Sequence, residues 1–137
     1  VGGYIVASDT AAWLNADGTR TVYVAKKGTD HSSTASVIQD TYKNVGAIPV
    51  GSGGAGGNWY VGDDSADADT GAWWPVAEGG GTSQGTGDYY SSGGSSSDTL
   101  REYLMGGFLG YGAYAGGSFL YLAHWLGNAY WYFLACD

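Results

Sequence analysis

A long segment close to the C-terminus, from Tyr103 to Cys136, carries no charged side chain and is crowded with aromatic residues. Between Tyr103 and Cys136 there is no Asp, Glu, Lys or Arg, and eleven positions are Phe, Trp or Tyr. A charge-free stretch of this length can form a membrane-spanning helix or half-buried strands. The seven glycines between Gly106 and Gly127, and the lack of a flanking Lys/Arg cluster, argue against a membrane helix. We therefore expect strands and loops here, and no insertion into a membrane.

Two segments within this stretch alternate with the period of a β-strand, 120–123 and 130–133. Four residues share the face expected in the core, where each contributes about 1.5–3 kcal/mol: Leu120, Leu122, Trp131 and Phe133. The opposite face and its loops then present Tyr111, Tyr114, Tyr121, His124, Asn128, Tyr130 and Tyr132. Tyrosine supplies contact area with a polar tip at low entropic cost, so such a face indicates an interaction site.

The rest of the chain predicts a mixed α+β domain. Short apolar runs up to residue 25 predict strands with a hairpin at Asp17-Gly18. Ser32, Ser33 and Thr34 offer N-caps to a helix that reaches Asn44 and ends by Gly46. A second short helix is predicted from a cap at Asp98 through Leu104, stopping at Gly106-Gly107.

Glycine-rich segments at 51–57 and 79–97 predict long ordered surface loops. The indoles of Trp73 and Trp74, which lie between these loops, are expected to anchor them to the core rather than bind a ligand. A chain of 137 residues fits one domain, 1–137, and cannot form an intrachain disulfide because Cys136 is its only cysteine.

The charge balance restricts the class of partner. Thirteen acidic and five basic residues give a formal charge of -8, which would repel phosphate backbones and anionic membrane surfaces. We therefore expect no nucleic-acid partner. His31 and His124 lie far apart in sequence, and His31 among Asp30 and Ser32 is typical of a polar loop and helix cap rather than a nucleophile system.

One acidic cluster allows a calcium alternative. Counting from Asp67, Asp69 and Glu78 fall at positions three and twelve of a calcium loop, but Ala72 stands where glycine is required. We expect a solvated loop and no cofactor or metal, with Asp67 and Asp69 as the ligands of the calcium alternative.

The C-terminal spacing resembles a known family. Gly106-Gly107, Gly112, Ala115-Gly116, the alternating leucines and the final Tyr130–Phe133 look like the pattern of variable proteins of diversity-generating retroelements. This resemblance implies a C-type lectin fold of the formylglycine-generating-enzyme type, with small antiparallel sheets and two short helices. It also implies a variable region at about 106–136, whose variable positions descend from template Asn codons with randomised adenines.

The family pattern assigns roles position by position. Its variable slots fall at Gly110, Tyr111, Tyr114, Tyr121, Ala123, His124, Asn128, Tyr130 and Tyr132, with Phe108, Ala113 and Leu126 as further slots. Its scaffold positions fall at Gly106, Gly107, Leu120, Leu122, Trp131 and Phe133. Every residue at a slot can be reached by changing the first two bases of a codon that ends in a pyrimidine. Lys, Glu, Gln and Met, which cannot be reached in this way, are absent from Gly106 onward.

The expected function is selective binding, not catalysis. An enzyme of the formylglycine-generating type needs reactive thiols, and Cys136 is the only one here. The family includes phage receptor-binding proteins, which implies a protein or glycan partner on a target cell and a location on a virion tail fibre or a cell surface. Two alternatives stay open: an assembly subunit of a viral fibre or shell that packs the same aromatic face against itself, and a calcium-dependent carbohydrate module.

Overall fold

The computed structural model describes residues 3–52, 54, 57–79, 89–91, 98–107 and 119–122, with the backbone alone at strand residues 3–8, 102, 104–107, 119 and 121. This part of the chain is mostly β, with one short helix and two small antiparallel sheets. Its elements are β1 (Gly3–Leu14), β2 (Arg20–Val24), α1 (Ala35–Thr41), β3 (Lys43–Ile48), β4 (Asn58–Ala66), β5 (Trp73–Glu78), β6 (Tyr89–Ser91), β7 (Thr99–Gly107) and β8 (Phe119–Tyr121).

The strands hydrogen-bond in the order β3-β2-β1-β7-β8-β6-β4-β5. Strand β4 belongs to both sheets, since its residues 58–60 pair with β6 and its residues 61–66 pair with β5. The pair β6–β8 is parallel, whereas the other described pairs are antiparallel as expected. The predicted hairpin at Asp17-Gly18 is confirmed: it joins β1 to β2, with Gly18 at a φ of 93°.

The main core draws on every described strand. Gly46 of β3 and Trp74 of β5 meet there, because a Cβ built on Gly46 would lie 2.7 Å from atoms of the indole ring. These two strands lie at opposite ends of the strand order. The row of strands therefore curls around the core until its two end strands meet. The buried cluster comprises Ala12, Val22, Val24, Ile48, Trp59, Val61, Trp74, Tyr90, Tyr103, Leu120 and Leu122.

Helix α1 packs against β1, β2 and β7 on the face that points away from the main core. Ile38 is fully buried, and it clusters with Ala11 of β1 and Leu100 of β7. Ala12, the next residue along β1, belongs to the main core. Because successive strand residues point to opposite faces, β1 is buried on both sides.

The first predicted helix is confirmed but is shorter than expected. It ends at Thr41 instead of Asn44, because Lys43 already pairs with Val24 as the start of β3. Gly46 therefore lies within a strand and does not end the helix. Thr34, one of the three predicted caps, is the N-cap residue, but its side chain makes no capping hydrogen bond; Ser32 Oγ instead accepts a bond from the Thr34 N–H at 3.0 Å.

The second predicted helix is wrong, because residues 99–107 form strand β7. Asp98, the expected cap, has a φ of 54° and donates its N–H to the Leu14 carbonyl at 2.7 Å. Strand β7 lies between β1 and β8, with Leu100 buried on the helix side and Tyr103 buried in the main core. A strand buried on both faces lacks alternation, so the Leu100/Leu104 spacing resembled that of a helix.

Two expectations about the middle of the chain have mixed outcomes. The indole of Trp74 is buried in the core and Trp73 packs against the same cluster, which confirms their anchoring role. The predicted loop at 79–97 is wrong at 89–91, where β6 places Tyr90 in the core. Tertiary pairing with β4 and β8 makes a strand of three residues that no local pattern announced.

Candidate functional site

The structure describes part of the predicted binding region. Gly106 and Gly107 end β7, paired with Tyr4 and Gly3, and Tyr121 ends β8. Leu120 and Leu122 are fully buried, as their alternation predicted. The remaining predicted positions lie outside the described residues: Phe108, Gly110, Tyr111, Ala113, Tyr114, Ala123, His124, Leu126, Asn128, Tyr130, Trp131, Tyr132 and Phe133.

Strands β4, β6 and β8 bring residues from distant parts of the chain into register. Trp59, Tyr90 and Leu120 align across the three strands, and all three are buried. The rings of Trp59 and Tyr90 pack at a centroid distance of 4.8 Å. This row forms the core side of the three strands.

The neighbouring rows of the same strands lie on the opposite face. Tyr60 aligns with Tyr89, and their rings meet edge to face at 4.8 Å while both side chains stay half-buried. On the other side of the buried row, Ser91 aligns with Asn58, and Ser91 Oγ donates to Asn58 Oδ1 at 2.8 Å. The backbone of Tyr121 is in register with Ser91. The face opposite the core is thus aromatic and hydrogen-bonding at its described positions.

The two candidate calcium ligands, Asp67 and Asp69, both form salt bridges with a lysine. Lys43 Nζ lies 2.6 Å from Asp67 Oδ1 and 3.2 Å from Asp69 Oδ2. The second oxygen of Asp67 accepts bonds from the Thr70 N–H at 3.0 Å and the Thr70 hydroxyl at 2.6 Å. The hydrogen bond from Lys43, followed by those from Thr70, lowers the pKa of Asp67.

Glu78, the third residue of the calcium spacing, is used elsewhere. Its carboxylate accepts two hydrogen bonds from Ser52, one from the N–H and one from the hydroxyl, each at 2.6 Å. These bonds lower the pKa of Glu78 and tie the glycine-rich loop to the end of β5. Among the described residues no group of three or more His, Cys, Asp or Glu side chains could hold a metal ion.

An open cleft of about 380 Å³ lies beside the lysine–aspartate bridge. The connection from β2 to α1, together with Asp9 of β1, forms one wall, and the β4–β5 loop forms the other. The lining residues are Asp9, Ala25, Lys26, Lys27, Gly28, Thr29, His31, Asp69 and Thr70. Six of the nine lining residues are charged or carry a hydroxyl, and His31 adds an imidazole.

Sequence reasoning missed this cleft. His31 lies in a polar loop, as predicted, but it is also exposed on the cleft wall. The pair Lys26-Lys27 is an unusual local positive charge in an acidic chain, and that signal alone could have indicated the site. Residues 69–70 come close to the β2–α1 connection only in the folded protein, so no local sequence pattern could have indicated their place in the cleft.

Comparisons with protein-family models, curated proteins and solved structures found no match. Within the described part of the chain, no helix combines the length and apolar character that crossing a membrane requires.

Proposed function

We propose that this chain is a hypervariable ligand-binding protein, diversified by a retroelement, that presents a variable tyrosine-rich surface on a constant scaffold. The proposal includes a C-type lectin-like arrangement of the mostly β fold. Its partner is a protein or glycan on a target cell, and its location is a virion tail fibre or a cell surface. Binding, and not catalysis, is the activity.

One observation carries the proposal: the two leucines that flank Tyr121 in sequence are both completely buried. Leu120 and Leu122 are both 0% exposed, and Leu120 aligns with the buried Tyr90 and Trp59. Two scaffold slots of the family pattern, Leu120 and Leu122, therefore coincide with core positions. A slot between two such positions can change its side chain without disturbing the core, which a diversified surface requires.

The described face opposite the core suits a binding role. Tyr60 and Tyr89 lie on that face as an edge-to-face pair, and Ser91 and Asn58 supply hydrogen-bonding groups beside them. Aromatic rings with polar tips are the side chains most enriched at binding hot spots. In the proposal, the variable tyrosines extend this face, and truncating a central one costs about 2 kcal/mol or more of binding.

The decisive experiment is deep sequencing of the 3′ end of the gene and its flanking DNA across a source population. We expect substitutions to concentrate in the codons of the variable slots, beside a near-identical template repeat. The nine slots are Gly110, Tyr111, Tyr114, Tyr121, Ala123, His124, Asn128, Tyr130 and Tyr132. If those codons vary no more than the codons for Leu120, Leu122 and Trp131, the proposal fails.

Light scattering separates foreign binding from self-assembly. A monomer whose mass does not change with concentration supports a face directed at a foreign ligand. Stable assemblies that Tyr121→Ala and Tyr132→Ala dissociate would instead support an assembly subunit that packs this face against its own copies.

A further inference from the structure

The cleft beside Lys26 and Lys27 collects the free positive charge of a strongly acidic chain. The sequence holds five basic residues against a formal net charge of -8. Arg20 and Arg101 are buried, and Lys43 is bonded to Asp67 and Asp69. Lys26 and Lys27 are exposed and form no salt bridge with any described residue. Both lysines line the cleft.

The wall that carries these lysines is held in place by backbone hydrogen bonds. The Ala25 N–H donates to the Asp9 carbonyl at 2.7 Å, and the Thr29 N–H donates to the Lys26 carbonyl at 2.9 Å. Gly28 completes the turn with a φ of 88°, a conformation that other residues rarely adopt. The backbone that carries the two lysines is therefore ordered before a ligand binds, which removes the backbone part of the entropic cost of binding.

The opposite wall supplies hydrogen-bond acceptors and hydroxyl groups. Asp69 and Thr70 approach from the β4–β5 loop, whereas Asp9 of β1 lies on the lysine side, because its carbonyl accepts the Ala25 N–H at 2.7 Å. The bond from Lys43 Nζ to Asp69 Oδ2 at 3.2 Å links the opposite wall to β3. The cleft thus carries Lys26, Lys27 and Asp9 on one side and Asp69 and Thr70 on the other.

We infer that this cleft binds an acidic saccharide, that is, a sugar ring that bears a carboxylate. The sugar carboxylate would pair with Lys26 and Lys27, through charge-assisted hydrogen bonds. The ring hydroxyls would donate to Asp9, to Asp69 and to the Thr70 oxygen, whose own proton is bonded to Asp67, and would exchange hydrogen bonds with Thr29. A volume of about 380 Å³ is at the small end of ligand sites and suits a mono- or disaccharide.

The composition of the walls argues against other ligands. An apolar molecule in this cleft would remove water from two lysines and two aspartates without replacing the lost hydrogen bonds, which is costly. Inorganic phosphate carries at most two hydroxyl donors near neutral pH, and its second negative charge would be repelled by the two aspartates, whereas an acidic sugar offers several hydroxyl donors and a single charge. An acidic saccharide matches both walls at once.

This inference does not rest on the proposed variable surface. The lining residues fall between positions 9 and 70, before the variable region at about 106–136. The cleft would therefore be a constant site, shared by every variant of the C-terminal surface. Its ligand would stay the same while the target of the variable surface changes.

The test is a titration followed by backbone amide NMR on the full chain. The probes are glucuronate, galacturonate and N-acetylneuraminate, with glucose, acetate and inorganic phosphate as references at constant ionic strength. We expect at least one acidic sugar to shift the amides of Lys26, Thr29 and Thr70 saturably. Glucose and the free anions should bind about tenfold more weakly, because each lacks one of the two matching features.

Paired variants of equal charge identify the residues responsible. Lys26→Gln with Lys27→Gln lowers the net charge by two and should weaken the binding of the acidic sugar by about tenfold or more. Ala16→Asp with Ala47→Glu lowers it equally at exposed positions near the Asp17-Gly18 end of the β1–β2 ladder, away from the cleft, and should leave binding within about twofold. Urea unfolding of both variants verifies that the fold is intact.

Three results would each overturn the inference. The first is the absence of a saturable shift with all three acidic sugars. The second is an equal response to acetate or phosphate, which would mean simple ion condensation on the lysines. The third is binding that survives the loss of Lys26 and Lys27 or falls equally in the charge-matched control. None of these results bears on the variability of the C-terminal codons.

Discussion

Lys43 and Asp67 join the two ends of the strand order, with Lys43 Nζ 2.6 Å from Asp67 Oδ1. Lys43 opens β3, and Asp67 follows the last residue of β4. The same two ends also meet through Gly46 and Trp74. An ion pair and an apolar contact therefore hold β3 against the β4–β5 hairpin. Asp69 of this bridge also lines the lysine cleft, so the closure of the fold and the candidate site share a residue.

Replacing Asp67 with Asn should destabilise the fold in a pH-dependent way. The pKa of Asp67 is lowered from 3.8, first by the hydrogen bond from Lys43 and next by that from Thr70. A depressed folded pKa contributes stability above the unfolded value, and this stability is lost as pH falls through the folded pKa. Urea unfolding should therefore show a difference between wild type and Asp67→Asn that is full near neutral pH and shrinks in acid.

The contribution of Lys43 to stability depends on pH in the opposite direction to that of Asp67: it is lost as the pH rises. Hydrogen bonding to Asp67 raises the pKa of Lys43 above 10.5, so its contribution is present below that value and is lost as pH rises through the folded pKa. Asp40→Asn, which removes one exposed carboxylate from α1, is the matched control. An equal and pH-independent effect of the two substitutions would show that the Lys43–Asp67 pair does not stabilise the fold.

Gly46→Ala should cost about 1–3 kcal/mol of unfolding free energy, the usual cost of overpacking. The new Cβ would lie 2.7 Å from the indole of Trp74, too close for either backbone or ring to stay in place. Urea unfolding measures the loss.

A second substitution tests whether Trp74 is the obstacle. Trp74→Phe trims the ring and costs stability by itself, but the Gly46→Ala penalty should be smaller in its presence. The coupling energy of the double-mutant cycle isolates the contact. Additive losses would show that the two end strands do not meet through this pair.

Tyr103→Phe should destabilise the fold by about 0.5–1.5 kcal/mol, the usual net contribution of a hydrogen bond, because it removes the donor to the part-buried Trp73 carbonyl. The Tyr103 hydroxyl donates to the carbonyl of Trp73, and the side chain is 1% exposed. Tyr42→Phe is the comparison, since its hydroxyl accepts the half-buried Ser32 N–H, which water can serve instead. Chemical unfolding should rank Tyr103→Phe as the more costly change, and the reverse order would contradict the assigned hydrogen bond.

The free energy of unfolding should fall as the pH rises above 10, because the fold keeps two buried tyrosines protonated. Burial raises the pKa of both Tyr90 and Tyr103 well above 10.0. The unfolded chain then loses these protons first, so each unit of pH between the unfolded and folded values favours unfolding. The double variant Tyr90→Phe/Tyr103→Phe should have a shallower alkaline slope in urea unfolding, whatever its absolute stability. An unchanged slope would mean that neither phenol is held neutral by the fold.

Local chemistry predicted the elements whose signals are local. The Asp17-Gly18 turn gave the β1–β2 hairpin, and the polar run before Ala35 gave the start of α1. Alternation of Leu120 and Leu122 predicted their burial. In each case a few neighbouring residues contain the whole physical reason.

Elements that depend on distant partners could not be predicted in this way. Strand β7 is buried on both faces and carries no alternation, and β6 exists because β4 and β8 flank it. Gly46 was interpreted as a helix stop, although its role is to leave room for Trp74, 28 positions away by the numbering. The lysine cleft likewise needs the β4–β5 loop beside the β2–α1 connection.

A trio of truncations in two neighbouring strands tests the orientation on which the proposed function depends. Leu120→Ala should cost about 2–5 kcal/mol, since Leu120 is fully buried. Tyr90→Ala, a tyrosine truncation in the same buried row, should cost about 3–5 kcal/mol. Strand alternation predicts that Tyr121 faces away from this row, so Tyr121→Ala should change the unfolding free energy by about 0.5 kcal/mol or less. Urea unfolding of the three variants decides the matter. If Tyr121→Ala is as costly as Tyr90→Ala, Tyr121 belongs to the core and cannot serve as a variable contact, and the proposed binding surface loses the slot nearest to the described scaffold.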